Sequence, residues 1–261
     1  MNGCIGIDIT AQGVKLALLS RRRGTRIVLG TWAKDLPAGE APESNAGMGA
    51  LLDDALHDVP LRASAEVVVG LPLGRVFYHS LRTEMDRREE VSRIVKFELE
   101  DDFPVAFDDL VIDICGHRQT GDREHEYLIA AVHRGEIDVW NRSVTNTGRK
   151  CSRLTADICA LETVACVARF ENDDAPRALL YADGVRAILG ILCQGTLLGA
   201  RHFPCTGGDK VVLAALAREI ELMYRDVLGR QCRQTSRIVL SGPDELIGRL
   251  SGGLAEATGR E

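Results

Sequence analysis

Apolar residues fall into two runs of the same shape, one near the start of the chain and one about 170 residues later. The first, Gly6-Ile7-Asp8-Ile9-Thr10-Ala11-Gln12-Gly13-Val14-Lys15-Leu16-Ala17-Leu18-Leu19, leads into a turn at Arg21 to Gly24 and a further stretch from Arg26 to Trp32. The second runs from Leu179 through Asp183-Gly184 to Cys193, turns at Gln194-Gly195 and continues through Leu197 to Phe203. Strand, tight polar turn, strand, turn, strand is the pattern of a β-meander. A meander repeated at this distance, with helical segments after each copy, predicts two related halves facing each other across a cleft. The turn between the first two strands of each half would then point at a bound phosphate. The first run offers Asp8 and Lys15 there; laid directly over it, the second has Leu179 at the position of Asp8.

The intervening pattern fills in the remaining elements. A polar, proline-bearing loop spans Leu36 to Asn45, and Leu51, Leu52, Ala55 and Leu56 then recur at helical spacing. Val67-Val68-Val69-Gly70-Leu71-Pro72 reads as a buried strand, and Phe77 to Leu81 as another. Asp86 opens a helix with a Val91, Ile94, Val95, Leu99 stripe, which ends before Pro104. Strands at Leu110 to Cys115 and Tyr127 to Val132 flank a polar turn, and a helix runs from Gly135 to Thr147. Roughly 73 to 150 is thus a compact α+β unit inserted after the first half. A helix from Asp157 to Phe170 connects the halves. After the second meander come a long helix past Gly207-Gly208, a strand at Ile238 to Leu240 and a last helix carrying Leu246, Ile247, Leu250 and Leu254.

Composition narrows the class. The 261 residues suffice for two lobes, and 45% hydrophobic with 27% charged residues is globular. A net charge of −6 argues against a nucleic-acid surface, so Arg21-Arg22-Arg23 and Arg87-Arg88 read as solvated turns and helix faces. No apolar run approaches a membrane span and no signal-peptide pattern opens the chain, which predicts a cytoplasmic protein. The eight cysteines lie scattered without a CxxC pair, the pattern of small core residues rather than a zinc site or disulfide frame. The six histidines are far apart in sequence. Asp101-Asp102 and Asp108-Asp109 around Phe103-Pro104 match no calcium loop.

Gly6-Ile7-Asp8-Ile9 with Gly13-Val14-Lys15-Leu16 resembles the opening of the actin-like assembly proteins of pilus and secretion machines. Val95 to Glu100, Phe103-Pro104 and Asp108-Asp109-Leu110 are similar to the inserted subdomain of that group. Arg201-His202-Phe203-Pro204, Gly207-Gly208 and Val239-Leu240-Ser241-Gly242 extend the similarity over nearly the whole chain. The pattern is similar to the M proteins of type IV pilus assembly and to the cytoplasmic domains of the L proteins of type II secretion.

The resemblance implies an α/β, actin-like (ribonuclease H-like) fold of duplicated lobes. It divides the chain into a first half at 1–72, the inserted subdomain at 73–150, a connector at 151–176 and a second half at 177–261. The short span between Pro204 and Ile238 implies a reduced second lobe that lacks most of the nucleotide-closing subdomain. Three positions depart from the family pattern. Thr10 stands where the first phosphate loop has glycine, and the aspartate and glycine of the second loop fall on Tyr181 and Asp183.

The function this resemblance implies is that of a scaffold without catalytic or metal residues and without a cofactor, linking an assembly ATPase to bitopic inner-membrane proteins. It would be cytoplasmic and peripheral to that membrane, through partners or through a segment outside this sequence, and without nucleic acid; the resemblance leaves room for a homodimer. The partner-binding neighbourhood implied by the pilus relatives is the pair of strands at Val67 to Pro72 and Phe77 to Leu81. The alternative is an ATP-binding protein of the pilus type, or another ATP-dependent enzyme of the same fold, with Mg-ATP as cofactor and Asp8 and Lys15 as the candidate residues. Those two side chains also have an ordinary reading, as a strand-end acid and a hairpin lysine.

Overall fold

The computed structural model describes residues 3–10, 13–22, 25–35, 45–60, 65–100, 105–167, 175–228 and 237–259. Nearly all of the expected proline-bearing loop, Asp101 to Pro104, the expected connector-helix end near Phe170, and Cys232 lie outside these residues. In chain order the elements are β1 (Gly3–Thr10), β2 (Gly13–Arg22), β3 (Thr25–Asp35), α1 (Asn45–His57), β4 (Glu66–Leu71) and β5 (Val76–Thr83). Then come α2 (Arg88–Leu99), β6 (Leu110–Gln119), β7 (His125–His133), α3 (Arg134–Asn146), β8 (Cys151–Ala156) and α4 (Asp157–Val167). The chain closes with β9 (Arg177–Ala182), β10 (Arg186–Cys193), β11 (Thr196–Pro204), α5 (Asp209–Leu228), β12 (Ile238–Ser241) and α6 (Asp244–Thr258).

The chain forms two compact units. The first comprises residues 1–76 and 132–157. Its five-stranded sheet has the order β3-β2-β1-β4-β8; β1 to β3 are antiparallel neighbours, and β4 runs parallel to both β1 and β8. Strand periodicity sends Ile5, Ile7 and Ile9 to one face of β1, where they are buried with Val14, Leu16 and Leu18 of β2 and Val67, Val69 and Leu71 of β4. Each such side chain stabilises by roughly 1.5–3 kcal/mol relative to exposure. Helix α1 buries Leu51, Leu52, Ala55 and Leu56 and packs against α3.

The second unit comprises residues 77–131 and 158–261. It holds a four-stranded sheet, β11-β10-β9-β12, and a three-stranded sheet, β5-β7-β6. Ala178, Leu180 and Ala182 of β9 and Ala187, Leu189 and Ile191 of β10 face α5 and α6, forming one core with Leu216, Ile220, Met223 and Leu250. The opposite face is covered too: the place of a Gly190 Cβ is 2.8 Å from the Ile158 side chain of α4. Strands covered on both faces read as unbroken apolar runs, as β9 and β10 do. In the smaller sheet, Val91, Val95 and Leu99 of α2 pack on Leu81, Leu110, Ile114, Tyr127 and Ile129. The two sheets approach at β6 and β11, where a Gly116 Cβ would sit 2.3 Å from the Leu197 carbonyl oxygen.

The predicted duplication is present. In β3-β2-β1-β4 and in β11-β10-β9-β12 alike, three antiparallel meander strands are followed by a parallel fourth. The sheets are separate, not one continuous doubly wound sheet.

Three points differ from the sequence-based expectation. Strand β8 was not anticipated: Cys151-Ser152-Arg153-Leu154-Thr155 is an exposed or half-buried edge, held by parallel pairing and by the Val67 amide donating to Ser152 Oγ at 3.2 Å. Helix α3, expected in the inserted unit, packs on α1 instead. The cysteines are not uniformly core residues: Cys205 is buried, whereas Cys4, Cys115, Cys151, Cys159 and Cys193 are half-buried free thiols.

Candidate functional site

Strand register fixes which residues of the two halves correspond. The β1–β2 hairpin closes at Thr10 opposite Gly13, two positions beyond Asp8 opposite Lys15. The β9–β10 hairpin closes at Asp183, whose amide donates to the Arg186 carbonyl at 3.2 Å, with Ala182 opposite Ala187 one step earlier. Thr10 therefore corresponds to Asp183, Asp8 to Tyr181 and Lys15 to Ile188. The parallel neighbours agree, since Asp8 lies beside Gly70 and Tyr181 beside Ser241, each two residues before a proline, Pro72 or Pro243. The overlay of Asp8 on Leu179 is therefore corrected to Tyr181: it was off by two residues, which preserves strand alternation and so leaves the apolar pattern unchanged.

In the first half, Asp8 is half-buried and Lys15 exposed on adjacent strands. Thr10 is 3% exposed and its Oγ1 donates to the Gly13 carbonyl at 3.2 Å, so its side chain fastens the hairpin from within. Gly13 has φ +154, and a Cβ there would lie 2.1 Å from the Lys34 carbonyl oxygen. Ala11 and Gln12, the apex of this turn, lie outside the described residues.

The second hairpin carries chemistry that the sequence pattern did not assign. Asp183 Oδ1 accepts from the amides of Val185 and Arg186, each at 2.9 Å, and Oδ2 accepts from Arg186 Nε at 3.2 Å. The Asp-Gly pair inside a predicted turn was the available signal, because aspartate side chains fold back onto amides two and three residues on. Where the resemblance expects glycine, the chain has a carboxylate embedded in its own turn.

Elsewhere the structure gathers polar groups that lie far apart in sequence. Glu126 on β7 accepts from Ser80 Oγ at 2.8 Å, Arg82 Nε at 3.2 Å and Arg118 Nε at 2.6 Å. Arg118 Nη2 also donates to the Val227 carbonyl at 3.0 Å, tying β6 to the last turn of α5. His117 and His125 meet across the β6–β7 hairpin at 3.0 Å between Nε2 and Nδ1, and the His117 ring stacks on Tyr127. Asp108 pairs with Lys96 at 2.7 Å, and that hydrogen bond holds its carboxyl below the usual carboxylate range. Among the described residues, no three His, Cys, Asp or Glu side chains are grouped so as to hold a metal ion.

No protein-family model matches the chain, and a search of curated proteins finds no match. Solved structures do match. A PilM–PilN type IV pilus biogenesis complex aligns with a TM-score of 0.79 and 17% identity, over 98% of this chain and 86% of that one. A Bacteroides thetaiotaomicron protein with an actin-like ATPase fold and unknown function aligns at 0.59 and 10%, over 99% and 89%. The cytoplasmic domain of EpsL, an inner-membrane component of the type II secretion system of Vibrio cholerae, aligns at 0.57 and 9%, over 98% and 95%. At such identities the likeness establishes the fold, which is actin-like.

Proposed function

We propose that the chain is an actin-like scaffold of a type IV pilus or type II secretion platform at the inner membrane, joining the assembly ATPase to bitopic membrane partners without hydrolysing ATP. The observation that carries this reading is the alignment of 98% of the chain with the pilus biogenesis complex at a TM-score of 0.79. The two hairpins supply the rest. A magnesium-bound triphosphate needs paired acids and close backbone approach; register puts Tyr181 at the counterpart of Asp8, and Thr10 and Asp183 where glycines are expected.

The division into a first half at 1–72, an inserted part within 73–150, a connector at 151–176 and a reduced second half at 177–261 is proposed on the same grounds, with α3 assigned to the first half, against whose α1 it packs. The chain works in the cytoplasm beside the membrane. Among the described residues no helix is long and apolar enough to cross a membrane; contact with the bilayer is assigned to partners or to a segment outside this sequence. A second reading, a chain that binds Mg-ATP, is favoured by one feature: Asp8 and Lys15 stand directly opposite each other beside the first turn.

Complementation separates the two. In cells lacking the chain, Asp8→Ala is expected to restore secretion or piliation as wild type does. Complete loss of function at normal protein abundance contradicts the scaffold reading.

A further inference from the structure

The turn Asp183-Gly184-Val185-Arg186 has the form of an anion seat. Successive backbone N–H groups aimed at one point, with a cationic side chain beside them, bind phosphate and carboxylate oxygens alike. Here that point already holds a carboxylate. Its Oδ1 takes both turn amides at 2.9 Å and its Oδ2 takes Arg186 Nε, while the Asp183 side chain is 4% and the Arg186 side chain 17% exposed. Gly184 leaves the outer side of the turn bare: with φ +90, its Cβ position has no atom within 4 Å. An incoming phosphate would find these donors engaged and a negative charge among them.

We propose that Asp183 is a built-in anion, whose carboxylate fills the phosphate seat of the second hairpin and excludes phosphate from it. The inference deepens the scaffold reading and rests on it: the second half keeps its turn geometry because an internal ligand has replaced the external one. Loss of the Asp183 carboxylate then has two consequences. The turn loses its organising acceptor, and the seat opens to an external anion of the same chemistry.

The test is chemical rescue. Thermal melts of wild type, Asp183→Gly and Asp183→Asn are compared in potassium phosphate and in potassium chloride of equal ionic strength. Asp183→Gly is expected to melt lower than wild type in chloride. In phosphate it recovers by a few degrees beyond the rise that wild type shows, saturating with concentration as for a bound ligand. Asp183→Asn retains an oxygen acceptor for the two amides and is expected to rise no more than wild type. Equal phosphate dependence of Asp183→Gly and wild type overturns the proposal, as does a glycine variant that folds in neither salt. With wild type unaffected by Mg-ATP, either of those outcomes removes the built-in anion alone. Saturable binding of Mg-ATP by wild type instead removes the scaffold reading on which it rests.

Discussion

Glu126 is the acid on which the polar groups of the three-stranded sheet β5-β7-β6 converge. Burial pushes its carboxyl up, but hydrogen bonds from Ser80, Arg118 and Arg82 outweigh that and hold it below the ordinary range. A depressed carboxylate stabilises fully above its unfolded pKa, about 4.3, and that contribution is lost as pH falls through the folded value. Glu126→Ala leaves two arginines without their shared acceptor, one of them largely buried, and should lower stability by about 2–3 kcal/mol, read as an earlier urea midpoint. His117 works in the opposite pH range. Burial, and then the nearby His125, push its pKa down against the pull of Asp86, so folding favours the neutral ring. The unfolded chain binds the extra proton, and stability should therefore fall as pH drops through about 6.5. His117→Phe keeps a ring on Tyr127 without the titration. The loss of melting temperature between pH 7.5 and 5.5 should be smaller in that variant than in wild type.

At the scale of elements, the parts that were legible are those whose packing alternates simply. Ile5, Ile7 and Ile9 announce β1 because one face is buried, and Val91, Val95 and Leu99 announce α2 because one stripe is. Strand β8 escaped because an exposed edge held by backbone pairing has no apolar alternation to show. The partner of α3 escaped for a different reason: its stripe of Trp140, Ser143 and Val144 says that one face is covered, but not by what. Strand β3 leaves Ile27, Val28 and Leu29 exposed at the edge of its sheet, next to a register shift between Leu18 and Leu19. Such irregularities disturb the open edge and hinder pairing with other chains. Turn geometry gives a sharper test. Gly13→Ala would place a Cβ within 2.1 Å of the Lys34 carbonyl oxygen, at φ +154, where only glycine is at ease. It should destabilise by roughly 2–4 kcal/mol, measured by urea denaturation. A loss under about 0.5 kcal/mol would mean that the hairpin closes in another way.

Over the whole molecule, the duplication was readable because both copies keep the same sequence of strands and turns, and the order β3-β2-β1-β4 is repeated by β11-β10-β9-β12. Its chemistry was only half readable. Thr10 and Tyr181 could be seen to depart from the expected residue types, but the role of Asp183 depends on three hydrogen bonds formed by folding of its own turn. On the scaffold reading, a hairpin closed through Thr10 and another closed through the Asp183 carboxylate are expected to stand without a bound triphosphate. The measurement that tests this most directly is thermal melting of the wild-type chain across a Mg-ATP titration, against magnesium chloride of equal ionic strength. A native-state ligand at one hundred times its Kd adds about 2.7 kcal/mol, about 5–10 °C for a chain of this size. The scaffold account predicts no shift beyond the salt control at millimolar nucleotide; a saturable rise of several degrees would contradict it.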